Sequence, residues 1–276
     1  MLLLACPFTP REVRLRPCFC LLFVYTAEVA TFQIFSAKQI ELLRKGGKIL
    51  RECLQATAKQ VRPGVTTQSL DTFAEAFIRE RGGVPAFKGY RSFPATLCTS
   101  VNDECVHGIP GDRVLKDGDI IALDCGVVYG DLYTDACVSV PVGTISEDVR
   151  AFLLASERAL EEACAIVAPG VRVGDISSTI QRSVEGHGYS CVNGLTGHGL
   201  GDTLHQFPDI PNTGKAGTGP VLPAHTIIAI EPITAMGKPA MREDDDGWTI
   251  RTADGSLSGH YEHTVLVTEN GHEILA

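Results

Sequence analysis

From Ser36 onward the chain carries two apolar periodicities, one helical and one strand-like, and the pair occurs twice. Ser36 precedes Ile40, Leu43, Ile49 and Leu50, whose spacing predicts a helix with one apolar face and a serine cap. The stretch VRPGVTTQSLDTFAEAFIRERGG then reads as the end of that helix, a Pro-Gly-Val turn and a second amphipathic helix. It has a counterpart at a constant offset of 106 residues, where Val61, Pro63, Gly64, Val65, Leu70, Ile78 and Gly82 match Val167, Pro169, Gly170, Val171, Ile176, Val184 and Gly188. Strand-rich sequence follows each copy. The pattern predicts an α+β fold of two similar halves, about 36–145 and 146–276, each with helices packed on antiparallel strands. The alternative is chance similarity between two helix pairs. Two related halves would leave a cleft where their sheets meet.

The strand-like runs contain polar residues that burial does not favour. IIALDCGVVYGDLYTDACVSV, Ile120 to Val140, predicts a β-hairpin turning at Gly130-Asp131. A two-residue loop there pairs Asp124 with Cys137 and Asp135 with Gly126, so the two aspartates lie diagonally on one face. A loop one residue longer or shorter would put them on opposite faces. Converging carboxylates need raised pKa values or a cation between them.

Similar settings hold further candidates. Glu231 ends the apolar run TIIAI, Glu262 opens the last long strand, and His198 sits in the glycine-rich GLTGHGLG. Any one of them alone is better explained by a salt bridge or a surface position. Together, four carboxylates and one imidazole suit two hard or borderline divalent ions such as Mn, Fe or Co better than a thiolate zinc site. Such ions could activate water and polarise a carbonyl or phosphoryl oxygen. His107, in NDECVHGIPGD, and His205, in a segment too rich in glycine for a helix, are candidates to hold substrate or stabilise an oxyanion. His187, His225, His260, His263 and His272 carry no such signal, and the acidic run Glu243 to Asp246 reads as a solvated turn.

Composition narrows the class. The 276 residues, 44% apolar and 21% charged, suffice for a sizeable core, and a net charge of −9 argues against a nucleic-acid surface. Ten cysteines form no CxxC pair, and those from Cys53 to Cys191 sit where a buried, reduced, cytosolic thiol is expected. Residues 1–35 are set apart as an N-terminal extension, disordered or lying upstream of the true start. A targeting segment is the second reading, since three arginines precede the apolar run Cys18 to Ala27, which is too short to span a bilayer. A zinc site on Cys6, Cys18 and Cys20 is the third and has a poor ligand set.

The motifs SVNDECVHGIP, LDCGVVYGDLYTDACVSVPVG, TGHGLG…LHQFP, IIAIEPI and DGWTIRTADGSLSGHYEHTVLVT, in this order, resemble the type I methionine aminopeptidases of the pita-bread metallopeptidase family. The resemblance runs from about Ser36 to the C-terminus. It implies a single pita-bread catalytic domain over 36–276 that removes methionine from nascent chains whose second residue is small. It implies two divalent ions, Co, Mn, Fe or Zn, held by Asp124, Asp135, His198, Glu231 and Glu262, with Asp135 and Glu262 bridging. A metal-bound water or hydroxide would attack the scissile carbonyl, with Glu231 as proton shuttle and His107 and His205 contacting substrate. Tyr90, Phe93, Cys98 and Trp248 would line the methionine pocket. The implied partners are nascent polypeptide N-termini, met at the ribosome by a cytoplasmic monomer that binds neither nucleic acid nor membrane. This chain departs from commoner members at Gln206, where many carry Glu, at Leu204, a frequent Phe, and in ECVH, whose Cys falls one place early. The same five ligands would serve an Xaa-Pro dipeptidase or aminopeptidase, and a non-catalytic pita-bread binding module is the alternative of another class.

Overall fold

The computed structural model of the protein describes residues 31–276. The readings of residues 1–30 as a targeting segment, zinc site or upstream extension lie outside the described residues. The packed chain includes residues just before the first helix. Phe35 is 1% exposed, its N–H donates to the carbonyl of His225, and Phe32 meets Phe207 edge to face.

Helix α1, Ala37–Ala58, starts at Ser36 with a reciprocal cap. The serine hydroxyl accepts from the N–H of Gln39, and the Gln39 side chain accepts from the N–H of Ser36. Ile40, Leu43, Ile49 and Leu50 are all buried on its inner face. Helices α2, Thr67–Glu80, and α4, Val173–Gly186, are each 14 residues long and stand at the sequence offset of 106. The Pro-Gly-Val turns before them are built alike. Gly64 and Gly170 have φ of 89° and 91°, a left-handed conformation that favours glycine. Their N–H groups donate to the carbonyls of Leu115 and Leu222, both at 2.9 Å. Helix α3, Glu147–Ala165, completes the second pair.

The strands form two main antiparallel sheets. In one, Ile120–Tyr129 lies between Leu97–Val101 and Leu132–Pro141. In the other, the order is His272–Ile274, His263–Val267, Ile227–Ile230, Thr196–Gly199 and Gln206–Pro211. They are joined where Cys137 faces Glu262, each N–H donating to the other's carbonyl at 3.3 and 3.0 Å. Leu50, Leu70 and Ile78 pack on the first sheet at Leu97, Ile121 and Leu123. Phe152, Leu160, Ile176 and Ile180 pack on the second at Ile228, Ile230 and Val265. Helices thus cover the outer faces and leave the inner faces to the site. No described helix is long and apolar enough to cross a membrane.

The chain's C-terminal residues lock onto α1. Arg44 holds Glu273 through three contacts of 2.7 to 3.1 Å, and Arg51 donates to the carbonyl of Leu275. Gly47 lets that backbone approach, because a Cβ there would overlap the carbonyl group of Leu275. Helix propensity alone favours Gly47→Ala by up to about 1 kcal/mol, and the overlap reverses the sign. We predict that Gly47→Ala lowers stability by roughly 1–3 kcal/mol, read as a lower urea midpoint; an unchanged or raised midpoint would refute the packing account.

Candidate active site

The hairpin fixes the first two carboxylates. Gly130 and Asp131 have φ of 59° and 64°, as a two-residue type I′ turn requires. The register follows, with Tyr129 opposite Leu132, Asp124 opposite Cys137 and Gly126 opposite Asp135. Cys98 pairs with Asp124, and Glu262 with Cys137. Paired residues share a face, so Cys98, Asp124, Cys137 and Glu262 form one row across four strands, with Asp135 two residues along. On the second sheet His198 lies opposite Ala229, and Glu231 is two residues beyond it on the same face. His263 pairs with Ile230, and one further step of that register sets Glu262 across from Glu231. The hairpin and the second sheet therefore bring all five residues to one place.

They line a cavity of about 270 Å³ together with His107, His205, Tyr90, Phe93, Cys98 and Trp248. The remaining lining residues are Phe87, Arg91, Val106, Leu204 and His260. Phe93, Cys98 and Leu204 belong to a small buried apolar cluster that Tyr90 and Trp248 pack against. Phe93 and Trp248 meet edge to face at 5.1 Å. Cys105 is buried in another cluster with Val106, Val192 and Ile233, and of the two neighbours only Val106 also lines the cavity. The early cysteine of ECVH thus adds no second thiol beside Cys98. Gln206 accepts from the N–H of Thr203 at 3.3 Å and closes the turn carrying His205.

The floor is short of positive charge. Asp124, Asp135, His198 and Glu262 are buried, and the Glu231 side chain is 11% exposed. Among the described residues Asp124 Oδ1, Asp135 Oδ1 and Glu262 Oε1 have no hydrogen-bond partner. Burial, reinforced by the neighbouring carboxylates, pushes the Asp135 and Glu262 carboxyls far above their usual range. Burial also raises Asp124 to about 7 and Glu231 to about 8. His198 does not compensate. Its Nδ1 contacts the carbonyl of Gly199 at 3.0 Å, an acceptor, so Nδ1 carries the proton, and burial holds the ring neutral with a pKa of about 3. The lone pair on Nε2 then faces Glu231 Oε1 at 3.4 Å. Two acceptors at that distance call for a proton or a cation between them. Donor atoms of Asp135, His198 and Glu262 lie within 4.8 Å of one another. Orphaned oxygens, a bare imidazole nitrogen and an oxygen-rich donor set fit divalent metal ions.

The walls are different. The Tyr90 hydroxyl and His205 Nδ1 share a hydrogen bond of 2.9 Å. His107 stands edge-on to Trp248. Desolvation pushes both histidines down to about 4, with the Arg91 guanidinium adding to the effect at His205. The turn bearing Trp248 is held by Asp246, which accepts from the N–H groups of Trp248 and Thr249 at 2.8 Å. Arg251 ties the same hairpin to Asp103, Glu104 and Asp244 at 2.6 to 2.9 Å. The acidic run is therefore a structured turn at Asp244 and Asp246 as well as a solvated one. His260 is the residue that pattern reading set aside. It lies two positions before Glu262, and strand alternation from that residue was the available signal. The seven described cysteines are free and buried.

Antiparallel sheets joined across two similar helix pairs, with four carboxylates and an imidazole at the junction, define the pita-bread metallohydrolase class. The chain belongs to metallopeptidase family M24, which it matches over residues 41–269. It is 46% identical to a methionine aminopeptidase of Clostridium perfringens over 86% of this chain and 95% of that one. It is 40% identical to methionine aminopeptidase 1 of Bacillus subtilis over 86% and 95%. The crystal structure of the methionine aminopeptidase of Thermotoga maritima superposes with a TM-score of 0.88, at 40% identity over 89% of this chain and 99% of that one. A prolidase of Pyrococcus furiosus, at 22% identity and a TM-score of 0.71, shares the fold.

The charge imbalance has a measurable consequence. The raised carboxyls favour folding while protonated, so their contribution is complete below the ordinary carboxylate pKa, ~4, and is lost as pH rises through their folded values. The lowered histidines act oppositely: their contribution is present above about 6.5 and is lost below it. Between pH 6.5 and 8 only the carboxyl effect remains. We predict that metal-free protein loses thermal stability across that window, by up to about 1.4 kcal/mol per pH unit for each carboxyl still protonated. Saturating Mn or Co should abolish the slope and release protons on binding. A flat metal-free profile would count against the buried carboxylate cluster.

Proposed function

We propose that this protein removes the N-terminal methionine from polypeptides whose second residue is small, using divalent metal. The observation that carries the reading is a single cavity with two contrasting parts. Its floor is a carboxylate-imidazole cluster short of cations, and its wall is lined by aromatic rings and the Cys98 sulfur. The relatives named above, matched almost end to end, act as methionine aminopeptidases by name. We assign the activity to residues 36–276 as one catalytic domain. The substrates would be new chain N-termini in the cytoplasm.

Asp124, Asp135, His198, Glu231 and Glu262 would hold two divalent ions. When bound, the ions supply Lewis-acid polarisation of the scissile carbonyl and a lowered pKa for the attacking water. The remaining work falls to the chain. Phe93, Cys98, Tyr90 and Trp248 enclose the thioether by contact and polarizability. Glu231 takes the proton of the water and returns it to the leaving amine. With the Tyr90 hydroxyl donating to Nδ1, the Nε2–H of His205 donates to the oxygen that gains charge. His107, which also lines the cavity and is held neutral by burial, would contact the peptide.

The test is release of methionine from Met-Ala-Ser by metal-free protein titrated with Mn, Fe, Co and Zn. Activity that returns with metal and is absent on Xaa-Pro peptides is expected. Failure to release methionine with every metal would overturn the reading. Asp135→Ala or Glu262→Ala should abolish metal-dependent turnover. His205→Ala should lower kcat by about 10²–10³ at unchanged metal content, and a parallel loss of metal would refute its separate role.

A further inference from the structure

His260 has a buried ring and no partner. It is 2% exposed, it lines the cavity, and neither ring nitrogen has a hydrogen-bond partner among the described residues. Its backbone, by contrast, is clamped. The N–H donates to the Ser139 hydroxyl at 3.0 Å, and the carbonyl accepts from that hydroxyl at 2.9 Å and from Cys137 at 3.4 Å. The strand Ser258–His260 also pairs with Ile233–Ala235, setting His260 opposite Ile233, two residues after Glu231. A ring held this firmly with both nitrogens idle is costly unless a partner arrives. The partner in reach is Glu231. Its Oε2 lies 3.6 Å from His260 Nε2, while its Oε1 lies 3.4 Å from His198 Nε2. Asn212 fixes the Glu231 backbone by donating to its carbonyl at 2.9 Å. The carboxylate is thus bracketed by two imidazoles on fixed backbones.

The two rings play different parts. His198 has its proton on Nδ1, so its Nε2 can only accept. His260 has no competing contact to fix its tautomer, so its one proton is free to sit on Nε2, facing the carboxylate. The gap of 3.6 Å is just outside hydrogen-bond range, and a small rotation of the Glu231 side chain closes it. We propose that His260 is a positioning residue that donates Nε2–H to Glu231 Oε2. It thereby reserves Oε1 for the cation shared with His198 and sets the orientation in which Glu231 carries its proton. This rests on the proposed aminopeptidase reading. A group that orients a ligand through its free oxygen acts on the chemistry more than on the binding of substrate.

The test compares His260→Leu, His260→Gln and His260→Asn in the metal-loaded enzyme. Steady-state kinetics on Met-Ala-Ser would be combined with calorimetric titration of Mn into metal-free protein. The Gln amide can reach the place of Nε2, whereas the Asn amide stops near Nδ1. We expect Leu and Asn to lower kcat about 10- to 100-fold, with KM and Mn affinity within about threefold of the parent, and Gln to restore most of kcat. Should the Leu variant fail to fold, the contrast between Gln and Asn still decides. Parental kcat in the Asn variant, or no recovery with Gln, would overturn the inference. So would Mn affinity falling in step with kcat, which would make His260 a ligand. A parent enzyme that releases no methionine would instead overturn the underlying reading.

Discussion

Four carboxyl groups and no permanent cation share the floor where the two sheets meet, and the rest of the molecule is arranged around that imbalance. Ionised, these groups repel one another in a poorly solvated place. Neutral, they would be weak ligands. The structure tolerates the conflict because each backbone is fixed from outside the site. The hairpin register sets Asp124 and Asp135, the Cys137–Glu262 pairing sets Glu262, and the Thr196–Gly199 strand sets His198. Apolar cores on the outer faces of both sheets supply the stability that the inner faces lack. Cations complete the electrostatics, so metal binding and folding stability are linked.

The walls answer a separate demand, which is shape. The Trp248 turn and the His107 segment combine apolar packing, such as Trp248 against Phe93, with a second kind of restraint. They are held by polar ties, Arg251 to three carboxylates and Asp246 to two backbone N–H groups. Glu104, nearly buried, also pairs with Arg113 at 2.7 Å and accepts from the N–H of Val101 at 2.6 Å. A buried carboxylate with this many donors is satisfied and rigid, unlike the orphaned oxygens of the floor. The same residue type therefore serves two ends, and the count of donors separates them.

What was legible in the sequence was whatever depends on local period. Ser36 and the spacing of Ile40 to Leu50 announced α1, and the repeated Pro-Gly-Val announced two helix pairs, because a left-handed turn wants glycine. The parity of the Gly130-Asp131 turn put both aspartates on one face. What was not legible was the long-range pairing of Cys137 with Glu262, since nothing local specifies which distant strand adds to an edge. Assembly of the five-residue cluster therefore leaned on family resemblance and not on spacing. His260 was passed over for a related reason. Its face could be read from Glu262, but its proximity to Glu231 comes from a register between strands more than twenty residues apart in the chain.

The protonation of the histidines explains why the site still needs metal. Four imidazoles, His107, His198, His205 and His260, stand around four carboxylates, and protonated rings would cancel the charge. Burial prevents this by holding all four below their ordinary range. A neutral ring can accept at one nitrogen and donate at the other, whereas an imidazolium can only donate. Keeping the rings neutral thus leaves His198 able to ligate and lets His205 donate without competing with the cations for the carboxylates. The demand for positive charge remains open at the floor. Desolvation of the histidines is in this sense as much a part of the metal site as the carboxylates themselves.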